Sequence, residues 1–146
     1  MKVRAAIAHA PNEPLTIETV DLDGPRAGEV LVQVKATGLC HSDLHVLAGN
    51  VPWQFPAVLG HEAAGVVVEC GPEVEHLAPG DHVIPFLIPR CGKCAYCASP
   101  KTNLCMEAFA RLRPRESRFS RNGTPLTQLW ALGTFAEYTV LPADTL

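Results

Sequence analysis

Long apolar runs are missing from this sequence. Apolar residues make up 47% of its 146 positions, yet no run approaches the ~18 residues that a membrane-spanning helix requires, so no membrane partner is expected. Charge is sparse as well: 12 Lys and Arg against 15 Asp and Glu give a net charge of −3, and 18% of residues are charged. So little charge beside so much apolar content excludes a disordered chain. The opening Met1-Lys2-Val3-Arg4 has neither an apolar h-region nor a small-residue cleavage site. No secretory signal is visible, and a cytoplasmic setting is expected. Aromatics are few, at 6%.

Proline and glycine are plentiful, 13 and 11, which favours short strands and many turns over long helices. Strand-like runs cover Val3 to His9, Leu15 to Val20 and Val30 to Ala36, separated by turn clusters such as Gly24-Pro25-Arg26-Ala27-Gly28. Leu31-Val32-Gln33-Val34-Lys35-Ala36 alternates as a half-buried strand does. A short helix is predicted from Ser42 to Ala48 with Gly49 as its stop. Further strands are predicted at Ala63 to Glu69, Asp81 to Ile84 and Phe135 to Val140, with a polar stretch ending near Gln128. The fold class is mainly β with short helices: a small, mostly antiparallel barrel carrying a cysteine lobe.

Six cysteines without an export signal call for a reason other than disulfides. Four of them, Cys91, Cys94, Cys97 and Cys105, are spaced by two, two and seven residues. Two-residue gaps let thiolates wrap one tetrahedral ion, so a structural Cys₄ zinc is expected to stabilise a lobe too small for its own core. An iron–sulfur cluster or a group of free thiols also suits this spacing. Cys70 is read as a small buried residue at a strand end, and His9, His76 and His82 receive no function. The stretch Arg111 to Arg121 holds five Arg; a solvated loop is its simplest reading, and no nucleic-acid partner is expected.

Cys40-His41-Ser42-Asp43-Leu44-His45 and Gly60-His61-Glu62 form a second constellation. Singly, a buried Cys and a satisfied His explain these residues equally well. Together, Gly60-His61-Glu62-Ala63-Ala64-Gly65, Cys40-His41-Ser42-Asp43, Gly80-Asp81-His82-Val83-Ile84-Pro85 and the four-cysteine lobe resemble, in order, the landmarks of zinc-containing alcohol dehydrogenases of the medium-chain dehydrogenase/reductase superfamily.

That resemblance implies a GroES-like barrel over residues 1–146, the N-terminal portion of a catalytic domain. Its nicotinamide-binding Rossmann domain is absent from this chain, which contains no G-x-G-x-x-G. It implies a catalytic zinc on Cys40 and His61, with a third protein ligand outside this chain, and a structural zinc on Cys91, Cys94, Cys97 and Cys105. Glu62 matches a carboxylate near the catalytic metal, and Asp43 the group orienting the ligating imidazole. The implied chemistry is polarisation of an alcohol by zinc and hydride transfer to NAD or NADP. Ser42 then takes the alcohol proton and His45 relays it through the cofactor ribose to solvent, a duty suited to imidazole. As a bland alternative, Ser42 serves as a helix N-cap.

His41 matches a contact to the cofactor pyrophosphate. Val51, Leu87 and Phe135 match pocket positions, while Trp53 and Phe55 lie near them in sequence and suit a core equally well. Pro100-Lys101-Thr102-Asn103-Leu104-Cys105 and Ser117-Arg118-Phe119 are similar to the glutathione-dependent formaldehyde dehydrogenase branch. Gly49-Asn50-Val51-Pro52-Trp53-Gln54-Phe55, however, lacks that branch's paired carboxylates, and His45 stands where it has Tyr. A primary alcohol or aldehyde substrate is therefore expected over a thiol adduct, in an enzyme that is a homo-oligomer at full length. The rivals are a polyol or amino-acid-alcohol dehydrogenase and a non-catalytic zinc module.

Overall fold

The computed structural model describes residues 1–108 and 116–146. β1 (Lys2–Ala8) and β2 (Thr16–Leu22) form an antiparallel hairpin whose alternation sends Val3, Ala5 and Ile7 inward. β3 (Glu29–Thr37) leads to α1 (His41–Leu47), followed by β4 (Ala57–Val58), β5 (Ala63–Cys70) and β6 (His82–Val83). Past the cysteine lobe come β7 (Phe119–Arg121), β8 (Thr124–Pro125), β9 (Thr127–Gln128) and β10 (Tyr138–Pro142). One sheet runs β8-β7-β2-β1-β4-β9 and the other β10-β3-β5-β6, and among the described residues only β4 and β9 pair in parallel.

The segment Phe135–Glu137 stitches the two sheets into a barrel. Ala6 N–H donates to Phe135 O at 2.8 Å and Glu137 N–H to Arg4 O at 3.0 Å, while Val34 N–H reaches Glu137 O at 2.9 Å. One short stretch thus satisfies backbone groups of β1 and β3 together. Inside lie Val3, Ile7, Val20, Leu22, Leu31, Phe119, Leu126 and Val140. A second cluster with Val30, Val32, Val67 and Leu141 packs on the other side of β3. A third, with Val46, Leu59, Leu129 and Phe135, supports α1.

The mainly β fold and the short helix match expectation, with boundaries shifted by a few residues. Three local readings need correction. β3 is not half-buried along its length: Val30, Leu31 and Val32 are all buried because β3 lies between β10 and β5 with core on both faces, and Lys35 to Thr37 emerge into solvent. The last strand begins at Tyr138, since Phe135–Glu137 form the seam instead. The polar stretch holds β7 and β8, joined at Asn122-Gly123, where φ values of 51° and 78° make the tight hairpin turn that Asn-Gly favours. Cys70 ends β5 half-buried, its Sγ 3.5 Å from Leu77 O.

The arginine stretch is not a uniform solvated loop. Arg118 is 7% exposed and grips Glu29 with two bonds of 2.9 Å, tying the chain before β7 to the start of β3. Burial is the largest single influence and pushes the Glu29 carboxyl up, but the Arg118 bonds, the Arg26 N–H and the charges of both arginines together outweigh it and hold the group below its ordinary range. Arg111, Arg113 and Arg115 lie outside the described residues.

On the barrel's outer face Glu18 accepts from Thr16 Oγ1 and Arg121 Nη1, each at 2.7 Å, and meets His9 Nε2. The Thr16 hydroxyl, then Arg121 and His9, lower its pKa to about 2. An acid whose pKa is depressed on folding stabilises the fold above its unfolded value and loses that contribution as pH falls toward the folded value. Glu18→Gln should therefore cost about 1 kcal/mol at pH 7, with the deficit fading between about pH 4.5 and pH 2. Urea unfolding of both proteins across that range measures it.

Candidate metal centres

Where β3 ends, Gly38 lies against Glu62: a Cβ there would come 2.8 Å from Glu62 Oε2, and Gly38 N–H donates to Glu62 O at 2.7 Å. Cys40 then caps α1, with Asp43 Oδ2 accepting its N–H at 3.2 Å. From the other side comes Gly60, at φ +88°, whose hypothetical Cβ would lie 2.3 Å from Phe135 Cδ1. Only glycine fits that crowded left-handed position, and it delivers His61 and Glu62 beside Cys40.

One carboxylate holds these segments together. Asp43, 2% exposed, accepts Gly60 N–H on Oδ1 at 2.9 Å, and the same oxygen lies 3.4 Å from His61 Nδ1. That last contact attracts charge without the alignment of a full hydrogen bond, leaving Nδ1 as a buried polar atom without a bonded partner. The Asp43 carboxylate, opposed by burial, raises the His61 pKa, and Ser42, through its N–H and its hydroxyl, lowers that of Cys40. With Nδ1 turned to Asp43, Nε2 is the nitrogen left to share an ion with Cys40.

Ligand atoms of Cys40, His61 and Glu62 all lie within 4.8 Å of one another. They face a cavity of about 660 Å³ that Ser42 also lines, walled by Ala63, Ile84, Pro85, Phe86 and Leu87. A thiolate, an imidazole and a carboxylate around an open space suit a zinc ion that keeps a position for another ligand.

Leu87 thus borders the cavity. Val51 lies exposed beyond α1, and Phe135 packs under α1 and borders a separate apolar cavity of about 480 Å³. His41 and His45 sit on the exposed face of α1. Sequence reasoning missed Trp130, whose ring stands edge-on to His61 at 4.9 Å and in turn meets Trp53 at 6.5 Å. Trp130 and Ala131 both adopt left-handed backbone, φ 48° and 62°, a strain that aims the indole at the imidazole. No local pattern announces it.

The second cluster is built from one segment. Sγ atoms of Cys91, Cys94, Cys97 and Cys105 lie within 4.8 Å of one another, with Cys91 and Cys97 at 3.9 Å. A tetrahedron of ~2.3 Å zinc–sulfur bonds has edges of about 3.8 Å, so a single ion fits where a four-iron cluster would spread the thiolates wider. Backbone N–H groups of Cys94, Cys97 and Cys91 point at Cys91, Cys94 and Cys105 sulfurs at 3.3, 3.4 and 3.4 Å. Donation from Met106 and Cys97 N–H holds the Cys94 thiol at about 6, and burial pushes Cys97 up to about 11. Four thiolates cannot share so small a space unless a cation neutralises them. Tyr96, Leu104 and Met106 are exposed, so the lobe has little core of its own.

No helix among the described residues is long and apolar enough to cross a membrane. The sequence profile of the alcohol dehydrogenase GroES-like domain matches residues 26–146. The chain is 50% identical to the class-3 alcohol dehydrogenase of Cereibacter sphaeroides and to the S-(hydroxymethyl)glutathione dehydrogenase of Paracoccus denitrificans, each over 97% of this chain and 40% of the relative. It therefore spans about 40% of the length of these curated relatives. An alcohol dehydrogenase zinc-binding domain protein from Burkholderia ambifaria superposes with a TM-score of 0.89 at 40% identity, over 99% of this chain and 41% of that one. Benzyl alcohol dehydrogenase from Acinetobacter calcoaceticus gives 0.81 at 30% identity, over 99% and 40%.

Two substitutions test the clusters. Cys94→Ser should cost the chain about one tightly held zinc and open the lobe to protease while the barrel persists. Asp43→Ala should weaken zinc at Cys40 and His61 by about 10–100-fold and leave the lobe's zinc in place. Metal analysis after graded chelation distinguishes them.

Proposed function

The chain belongs to the zinc-containing alcohol dehydrogenases of the medium-chain dehydrogenase/reductase superfamily, and on that premise we propose that it is the zinc-binding catalytic portion of an enzyme interconverting a primary alcohol and its aldehyde. The same reading includes hydride exchange with NAD or NADP, which a dinucleotide-binding domain outside this chain would hold. The observation that carries this reading is the convergence of Cys40, His61 and Glu62 on a cavity that Ser42 also lines. A bound zinc supplies there a Lewis acid that polarises the alcohol oxygen.

The chain's own residues do the rest. Cys40 and His61 would hold the ion, Asp43 orients the imidazole, and Glu62 would place a negative charge beside them. The Ser42 hydroxyl lies 3.6 Å from Cys40 Sγ, where it would accept the proton of the substrate alcohol while passing its own on toward the cofactor ribose. His45, exposed one helical turn further on, would take the proton from the ribose and hand it to solvent, and His41 would face the cofactor pyrophosphate. Ile84, Pro85, Phe86 and Leu87 give the cavity an apolar wall for the substrate carbon. Trp130 restrains the ring of His61.

The names of the relatives support a second substrate, S-(hydroxymethyl)glutathione. Recognition of its two carboxylates calls for cations and of its amine for acids. The cavity's described lining contains no Lys or Arg, and Glu62 is its single acid, which favours the simple primary alcohol. A homo-oligomeric, cytoplasmic enzyme belongs to the same proposal.

In the enzyme that carries this chain, His45→Gln should keep zinc content but lower alcohol oxidation chiefly below about pH 8, where hydroxide cannot replace an internal base. Ser42→Ala should be slower still, because it removes the group nearest the alcohol. An unchanged pH–rate profile in His45→Gln, or normal turnover in Ser42→Ala, removes the relay. Comparing kcat/KM for benzyl alcohol and S-(hydroxymethyl)glutathione decides the substrate; a large preference for the second overturns the first.

A further inference from the structure

The apolar wall beside Cys40 and His61 and the four-cysteine lobe are parts of one continuous strap. Ile84-Pro85-Phe86-Leu87 line the cavity of about 660 Å³, and Ile88-Pro89-Arg90 lead from them directly to Cys91, the first sulfur of the lobe. The strap also borders a second cavity, of about 240 Å³, which Ile84 and Phe86 line with Ile88, Arg90 and Thr102. Side chains that face open space in two cavities are poorly held by packing. Ile84 is 74% exposed and Phe86 50%, so the backbone that carries them sets where they stand.

That backbone is anchored at three points. At its start Val83 pairs with Gly65 across β6 and β5. In the middle Phe86 N–H donates to Thr145 O at 2.7 Å, on the buried turn that follows β10, while Leu87 leans on the cluster around Val32 and Leu141. At its end Cys91 N–H points at Cys105 Sγ at 3.4 Å. Pro85 and Pro89, both buried, flank Phe86-Leu87-Ile88, and each ring locks φ near about −65°. A segment so stiffened absorbs little of a shift at its end by rotation. The first two anchors belong to the barrel, whereas Cys91 sits in a lobe with little core, whose shape depends on an ion joining its four sulfurs.

We propose that this strap carries the position of the four-cysteine lobe to the cavity wall, so that Pro85, Pro89 and Cys91 are positioning residues for Ile84 and Phe86 and thereby for the substrate carbon. The lobe then serves the site beside Cys40 and His61 as well as its own stability. The mechanical link needs no particular reaction; its effect on substrate rests on the proposed alcohol oxidation.

Amide hydrogen exchange in the enzyme that carries this chain tests the link. One glycine inserted between Arg90 and Cys91 lengthens the strap without removing a side chain or a sulfur, and Cys94→Ser removes the lobe's ion. In both variants Phe86 N–H should exchange at least about tenfold faster, while Ala6 and Val34 N–H, bonded in the barrel seam, keep their rates. KM for benzyl alcohol should rise about three- to tenfold with kcat within about twofold. Unchanged exchange at Phe86 in the insertion variant, equal acceleration at Ala6 and Val34, or a fall in kcat with KM unchanged overturns the link. An unsubstituted enzyme that leaves benzyl alcohol untouched overturns the proposed reaction instead, and exchange at Phe86 still decides the strap.

Discussion

The buried carboxylate of Asp43 is the joint on which the candidate centre depends. It takes Cys40 N–H at 3.2 Å and Gly60 N–H at 2.9 Å, and faces His61 Nδ1 at 3.4 Å. A carboxylate removed from water without such partners would cost several kcal/mol. Its burial is therefore compatible with the fold only when the start of α1 and the Gly60–Glu62 segment approach each other. The pairing that satisfies Asp43 is the same pairing that brings Cys40 to His61, so the stability of the fold and the geometry of the metal centre rest on one group.

The two sheets make that approach rigid. Phe135–Glu137 bonds to β1 and β3, and Phe135 occupies the space that a side chain at position 60 would need. The barrel's closing seam therefore also sets where His61 stands. From the same part of the chain Trp130 reaches the imidazole edge. The lobe is organised on the opposite principle. Its sulfurs come from one short segment and its large apolar side chains are exposed, so the cohesion that the barrel obtains from buried Val, Leu and Ile must come there from an ion.

Charge divides the surface in a similar way. Arg118 and Arg121, which belong to a strongly basic stretch of sequence, are committed to Glu29 and Glu18 and pin β7 against β2 and β3. The cavity at Cys40 and His61 is instead walled mainly by aliphatic and aromatic groups. Arginines that a linear reading leaves in solvent serve as struts, and the space beside the candidate centre stays apolar apart from its ligands, Ser42 and Thr37.

By itself the sequence determined what short-range physics controls. The period of β1, a short helix expected from Ser42 with Gly49 as its stop, and the four-cysteine spacing are local patterns, and their consequences follow within a few residues. The Asn122-Gly123 hairpin was equally local, though hidden in a polar stretch that looked like loop. Tertiary structure alone decided the rest. It made β3 a two-sided core strand, placed Phe135 in the seam and Leu87 at the cavity, drew Arg118 inward, and brought Trp130 onto His61. Each of these depends on which distant segment lies alongside, and a one-dimensional pattern carries no term for that neighbour. Cys40 and His61 stand between the two cases: their residue types were legible, and their meeting within 4.8 Å required the folded backbone that Asp43 holds together.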